Sequence, residues 1–391
     1  MPIEQHTSTY IQTVEYVEDY DPTALREAID REFSFLQIEK DLKPEMKILI
    51  KPNLVGDYNP AFAATTHPAV VAAVADWLTA HGCRNIVIAD SPGGALSVTP
   101  GFAYDSFYER VNYHTLEKNG VRLNRDKGWG VRQSPAGCQN RSFHLLNAVL
   151  EADYIINIAK LKTHNITGIS FGIKNLFGCV PDIQKPVFHA RYPRQKDFNN
   201  MFVELAMTVA PSLTVVDGIV AMEGNGPVAG KKRQLGMLFA AKDVFSQDCF
   251  IAKLLGLDPS SVEMLCAAKR KGLLHCARVR SRSFEPVRNI APLVLPDIKR
   301  ATTAQEKMQS RLRLLLRKKD EWLMQVSPVY VPQKCSMCLR CVNSCPVHAI
   351  TVENNTLHFH TQRCIGCLCC HEICSNQAIT VQKKLKIRAK K

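Results

Sequence analysis

The sequence predicts two folded parts: an α/β domain with a largely parallel sheet and helices on both faces, then a small cysteine-rich domain. Three observations carry this. Through residues 1–276, apolar runs of strand length alternate with helix-length patterns, as in a sheet buried on both faces. Nine of the fifteen cysteines fall between Cys335 and Cys374. Positive charge gathers between and after the two parts rather than within them.

The first strand-like run, ILIKPNLV (48–55), precedes a helical pattern from Pro68 to Ala80 with proline in its first turn and Gly82 beyond its end. IVIAD (86–90) reads as a strand, 103–118 as a helix, YIINIAK (154–160) as a strand and 198–209 as a helix. LTVVDGIV (213–220) and MLFAAKD (237–243) are further strands, and a helix is expected over 244–255. The expected division is 1–276 for the α/β domain, 277–330 for a basic helical connector, 331–382 for the cysteine-rich domain and 383–391 for a basic tail. In the connector Met308, Leu312, Leu315 and Trp322 recur at helical spacing, which predicts a packed amphipathic helix.

The 391 residues carry 50 basic and 36 acidic side chains, a formal charge of +14. Residues 278–319 account for +9 and 383–391 for +6, which leaves −1 for everything else. A basic chain invites a nucleic-acid or membrane partner. Here the charge belongs to a linker with an apolar stripe and to a tail without interleaved aromatics, which argues against nucleic acid. No apolar run reaches the roughly 18 residues of a membrane span, and MPIEQHTSTYIQTVEY has no secretory pattern. The expectation is a cytoplasmic protein with no membrane partner, whose reduced thiols serve metal or catalysis rather than disulfides. Cys83, Cys138, Cys179, Cys249, Cys266 and Cys276 stand singly and read as small buried apolar residues.

Cys335, Cys338, Cys341 and Cys345 are spaced C-x2-C-x2-C-x3-C with Pro346 following, and Cys364, Cys367, Cys370 and Cys374 repeat the spacing 29 residues later. The segment AITV recurs at the same offset, at 349–352 and 378–381. A zinc ribbon would use two C-x2-C pairs and leave Cys341, Cys345, Cys370 and Cys374 idle. The duplicated loop and strand resemble the bacterial two-cluster ferredoxin over residues 330–382, a small α+β fold. The resemblance implies two [4Fe–4S] clusters, one on Cys335, Cys338, Cys341 and Cys374, the other on Cys345, Cys364, Cys367 and Cys370. Ser375 stands where that family has proline, and Cys369 is an extra thiol expected not to be a ligand.

In the first part, the strings KLKTH (160–164) and KNLFG (174–178), then Asp217-Gly218 and EGNGP (223–227), resemble the DUF362 family, as do Lys51-Pro52-Asn53, Thr66-His67-Pro68, Asp90-Ser91, His189 and Asp248. The resemblance covers about residues 45–255 and departs at DVFSQD (243–248), where the family has Pro after the first Asp and Ala before the last. It implies no reaction. The residues themselves do more. Ligands of α/β sheets bind beyond the carboxyl ends of the strands, where Lys51, Asn53, Lys160, Lys162 and Asp217 are expected, with Lys174, Asn175 and Asn225 in the following turns. These form a candidate binding cleft for an anionic small molecule. His164, His189 and Glu223 are candidates for proton transfer; structural histidines and a metal site are the competing uses. Gly224 to Ala229 fits G-x-G-x-x-A and Gly230-Lys231 resembles part of a P-loop, but neither context suits a nucleotide.

The expected function is that of an iron–sulfur oxidoreductase of the anaerobic cytoplasm. Electrons from a soluble donor would pass through two [4Fe–4S] clusters to an anionic small molecule or second cofactor in the α/β domain. The alternatives are a non-catalytic electron-transfer protein or subunit with the α/β domain as docking scaffold, and a nucleic-acid-binding protein. The basic flanks suit an acidic electron-transfer partner, donor or acceptor.

Overall fold

The computed structural model describes residues 9–93, 102–181, 184–192, 194–280, 290–296 and 324–385. Met308, Leu312, Leu315 and Trp322, on which the connector helix was expected, lie outside the described residues.

The main sheet contains β1 (Thr9–Tyr16), β2 (Lys47–Lys51), β3 (Asn85–Ile88) and β4 (Val121–Leu123). After a separate hairpin of β5 (Trp129–Gln133) and β6 (Ser142–Leu146) it continues with β7 (Tyr154–His164), β8 (Gly168–Ser170), β9 (Leu213–Glu223), β10 (Lys231–Ala241) and β11 (Cys276–Arg280). The order is β11-β1-β10-β9-β7-β2-β3-β4, with β8 folded back on β7. Strands β4, β3, β2, β7 and β9 run parallel. Strand β10 is antiparallel to both neighbours, and β11 runs parallel to β1. The sheet is mixed but mostly parallel, as its apolar runs predict.

Alternation along β7 divides the core. Ile156 and Ile158 face one side with Leu25, Phe33, Val70 and Val74 from helices Pro22–Leu36 and Pro68–Ala80. Ile155, Ala159 and Leu161 face the other with Phe198, Phe202 and Leu265 from helices Gln195–Val209 and Glu263–Arg270. Asp21 starts the first helix by accepting from Thr23 N and Ala24 N, and the His67 ring does the same for Ala69 N ahead of Pro68.

Three expectations change. The helix over 103–118 is only Tyr104–Arg110 followed by a 3-10 turn at His114–Leu116, because Asn112 takes a left-handed φ of 59°. Strand β7 runs on to His164 because β8 pairs with its end, Lys162 opposite Ser170 and His164 opposite Gly168. Cys276 is exposed on the edge strand β11, and Cys138 and Cys266 are half-buried; only Cys83, Cys179 and Cys249 are core residues.

In the C-terminal part β12 (Met324–Tyr330) pairs with β15 (Ile379–Leu385), and β13 (Ile350–Glu353) with β14 (Thr356–Phe359). One-turn helices occupy Arg340–Asn343 and Cys369–Glu372. The duplication reaches the backbone: Met337, Leu339 and His348 are left-handed, and so are Gly366, Leu368 and Gln377 at the same offset. Among the described residues no helix is long and apolar enough to cross a membrane.

Candidate functional site

The strand ends hold two kinds of lysine. Lys51 Nζ lies 2.8 Å from Asp90 Oδ1 and donates to the Pro52 carbonyl at 2.7 Å, with both side chains buried. Gly178 closes over this pair, since a Cβ there would lie 1.7 Å from Asp90 Oδ1. Lys160 Nζ is 2.8 Å from Asp217 Oδ2 and donates to the Tyr20 hydroxyl at 2.8 Å. Asp217 also accepts from the Tyr20 hydroxyl and from His67 N, while the His67 ring stacks on Tyr20 at 3.6 Å. Lys51, Lys160 and Asp217 thus form neutralised buried pairs rather than walls of a cleft.

The second kind faces a cavity of about 70 Å³ beside the end of β7, lined by Asn53, Lys162, His164, Lys174, Asn175 and His189. Lys162 Nζ donates to Asn53 Oδ1 at 2.9 Å and to the Ala64 carbonyl, two uncharged acceptors. Asn53 Nδ2 donates to Asn175 Oδ1, and Asn175 Nδ2 to Asn157 Oδ1, each at 2.8 Å, which fixes the amides that hold the lysine. Lys174 Nζ sits 5.1 Å from the centre of the Phe202 ring. Burial pushes both ammonium groups below their ordinary range, and for Lys162 the Lys174 charge adds to it. A third ammonium on the same wall, Lys185, reaches the Ser91 and Pro92 carbonyls; nothing in its sequence surroundings marked it.

His164 Nδ1 accepts from Ile166 N at 3.1 Å, so its proton sits on Nε2, which faces Glu372 Oε1 at 3.6 Å. Burial holds His164 well below the usual imidazole range, with Lys174 and Lys162 adding to the effect. Burial and the Lys174 charge likewise lower His189 to about 3. Both rings are neutral near pH 7, hydrogen-bond donors rather than reservoirs of an acidic proton. Asp248 accepts from Gly172 N at 2.8 Å and Ile173 N at 2.9 Å, pinning the short helix Gly172–Asn175 that carries Lys174 and Asn175.

The structure takes two predicted residues elsewhere. Glu223 pairs with Arg233 at 3.0 Å and accepts from Val294 N. Asn225 Nδ2 donates to Gln377 Oε1 at 3.1 Å, a bond to the C-terminal part.

There, Cys335, Cys338, Cys341 and Cys374 line one cavity, together with Arg340. Burial, then the nearby Cys367, Cys341, Cys364 and Cys345, pushes the Cys370 thiol well up. Among the described residues no three His, Cys, Asp or Glu side chains converge as around a single metal ion; the thiols of Cys335, Cys338, Cys341 and Cys374 line a cavity instead. Thiols packed this closely cannot ionise together without a cationic centre between them, which fits an iron–sulfur cluster. Backbone N–H groups already point at sulfur: Met337 N at Cys335 (3.4 Å), Ala349 N at Cys345 (3.1 Å) and Ala378 N at Cys374 (3.2 Å).

The two parts meet at the lysine cavity, where Cys369 and Glu372 complete the wall. The Tyr58 hydroxyl donates to the Ile373 carbonyl at 2.6 Å, Gln377 Nε2 donates to the Ala229 carbonyl at 3.2 Å, and Ile373 packs with Tyr58, Ala64, Met222 and Val228.

Two family models match the two parts of the chain. Residues 48–253 match the domain of unknown function DUF362, and residues 327–375 match the 4Fe-4S dicluster domain. The thylakoid-associated protein sll1697 of Synechocystis sp. is 35% identical over 235 residues, 59% of this chain and 70% of that protein. The lactate racemase apoprotein from Thermoanaerobacterium thermosaccharolyticum aligns with a TM-score of 0.39 at 13% identity, covering 62% of this chain and 57% of that one. The C-terminal match indicates iron–sulfur binding and points to electron transfer. The chain belongs to the DUF362 family and carries a ferredoxin-type 4Fe-4S domain at its C-terminal side.

Proposed function

We propose that the protein is a cytoplasmic iron–sulfur oxidoreductase of anaerobic metabolism that reduces or oxidises a small anion held in the lysine cavity. One observation carries the reading: Lys162, His164, Lys174 and His189 from the α/β domain share a single cavity with Cys369 and Glu372, which flank the ligand candidate Cys370. Two [4Fe–4S] clusters, on Cys335, Cys338, Cys341 and Cys374 and on Cys345, Cys364, Cys367 and Cys370, would supply single electrons beside that cavity.

The chain's own residues do the rest. Lys162 and Lys174 bind the negative charge, strongly because the site is buried. The Nε2–H of His164 donates to an oxygen of the ligand, and His189 closes the opposite side. Asn53 and Asn175 orient Lys162. A volume of about 70 Å³ suits an anion of a few heavy atoms, such as a short carboxylate or an inorganic oxyanion. A soluble, acidic electron-transfer protein is the proposed redox partner. Anaerobic purification, followed by mass spectrometry of small molecules released on denaturation, tests the reading. A retained anion that is lost in a Lys162→Met, Lys174→Met variant supports it. A cavity empty in both, in a protein that passes electrons only to another protein, would identify an electron carrier.

A further inference from the structure

The α/β domain touches the C-terminal part at a second place, remote from the lysine cavity in role. Asp57 and Tyr58 follow the first parallel strand, yet both reach the segments that bear the Cys335, Cys338, Cys341 and Cys374 set. Arg340 sits between Cys338 and Cys341 and lines the cavity these four cysteines surround. Its guanidinium lies 4.4 Å from the centre of the Tyr58 ring, and Nη2 is 3.4 Å from Asp57 Oδ1. Asp57 Oδ2 pairs at the same time with Arg110, 3.2 Å away. The Tyr58 hydroxyl holds the carbonyl of Ile373, the residue before Cys374. One dipeptide of the α/β domain therefore grips both cysteine segments of a single set.

We propose that Asp57 and Tyr58 are positioning residues for the centre held by these four cysteines: they fix Arg340 on its wall, and the balance of Arg340 against Asp57 sets that centre's reduction potential separately from the other's. The physical basis is charge. A cluster with four thiolates is anionic, and reduction adds another negative charge, so a nearby cation favours the reduced form and a nearby anion opposes it. Arginine suits this place because its planar group stacks on the tyrosine while it pairs with the carboxylate. The other cysteine set has no equivalent: the residue matching Arg340 in the duplicated half is Cys369. The C-terminal part thus carries the cation on one side only, and the docking of the α/β domain sets Asp57 and Tyr58 against it. This inference rests on the two-cluster reading above.

The test is an anaerobic potentiometric titration of the full-length, cluster-loaded protein followed by electron paramagnetic resonance. The signal of the Arg340-side centre is identified by its change in Cys338→Ser. Arg340→Gln should move that midpoint to a more negative potential and Asp57→Asn should move it to a more positive one, with the second midpoint unchanged in both. Tyr58→Phe, which keeps the ring under Arg340, should shift it less than Asp57→Asn. A loosened structure would move both variants the same way, so opposite signs separate charge from packing. Shifts of one sign, equal shifts of both midpoints, or no shift would overturn the proposal. Should Arg340→Gln fail to retain its cluster, Asp57→Asn alone decides, by an upward shift or its absence. Finding a single cluster in the unaltered protein would instead refute the two-cluster reading.

Discussion

Within β7, Lys160 and Lys162 are two residues apart on one face, yet their surroundings give them different chemistry. Lys160 meets a carboxylate and a phenol, whereas Lys162 meets only amide and carbonyl oxygens, so among the described residues no paired counter-charge offsets its burial. Lys174→Met should weaken binding of a small oxyanion about tenfold or more, the worth of one charge-assisted hydrogen bond; calorimetric titration measures it, and unchanged affinity would contradict the site. His164 yields a pH prediction. Its folded pKa lies well below its unfolded value, so the unfolded chain gains a proton below pH 6.5 that the folded chain refuses. Its contribution is complete above pH 6.5 and is lost as pH falls, at up to about 1.4 kcal/mol per pH unit. Urea midpoints at pH 7.5 and 5.5 should therefore differ less in His164→Gln than in the unaltered protein, and equal differences would contradict the assignment. The residue types at 160–164 and 174 were legible in the sequence; the pairing of Lys160 with Asp217 was not, because the two are far apart along the chain and the parallel register of β7 and β9 brings them together.

At the scale of elements, the continuous apolar runs at 48–55, 86–90, 154–160 and 213–220 hold the parallel strands β2, β3, β7 and β9, whereas 237–243 falls in β10, buried but antiparallel to both neighbours. Strand β1 alternates too weakly to stand out, and it gains its place by pairing with β10 and β11. The extension of β7 to His164 depends on β8, a three-residue strand with no pattern of its own. Gly178 joins two elements by close approach, its backbone lying against the Lys51–Asp90 pair. Gly178→Ala would push these charges apart and should cost roughly 3 kcal/mol or more, the range for breaking a buried ion pair. Chemical denaturation measures this, and near-native stability would show that the pair can give way. The cysteine loops were the most legible element of all, because ligand spacing is local: three thiols fit on one turn, and the repeat at 29 residues shows the loop twice.

For the whole molecule, the expected convergence of domains is the feature that separates an enzyme from a carrier. The docking surface was not legible, since Tyr58, Arg340 and Gln377 carry no motif, and their contacts span 282 residues or more in the case of Tyr58 with Arg340 and Ile373. The docking leaves one cavity between two recognisable domains, with cysteine-bearing backbone on one wall and lysines on the other. Binding of an anion beside Cys369 and Glu372 should therefore be felt by the nearer iron–sulfur centre. The most direct measurement is electron paramagnetic resonance of the reduced, anaerobic protein during titration with short carboxylates, bicarbonate and phosphate. The account predicts that at least one of these anions changes the signal of the centre held by Cys345, Cys364, Cys367 and Cys370, saturably, and that Lys162→Met with Lys174→Met abolishes the change. A signal indifferent to every small anion, while the protein still exchanges electrons with a protein partner, would contradict it.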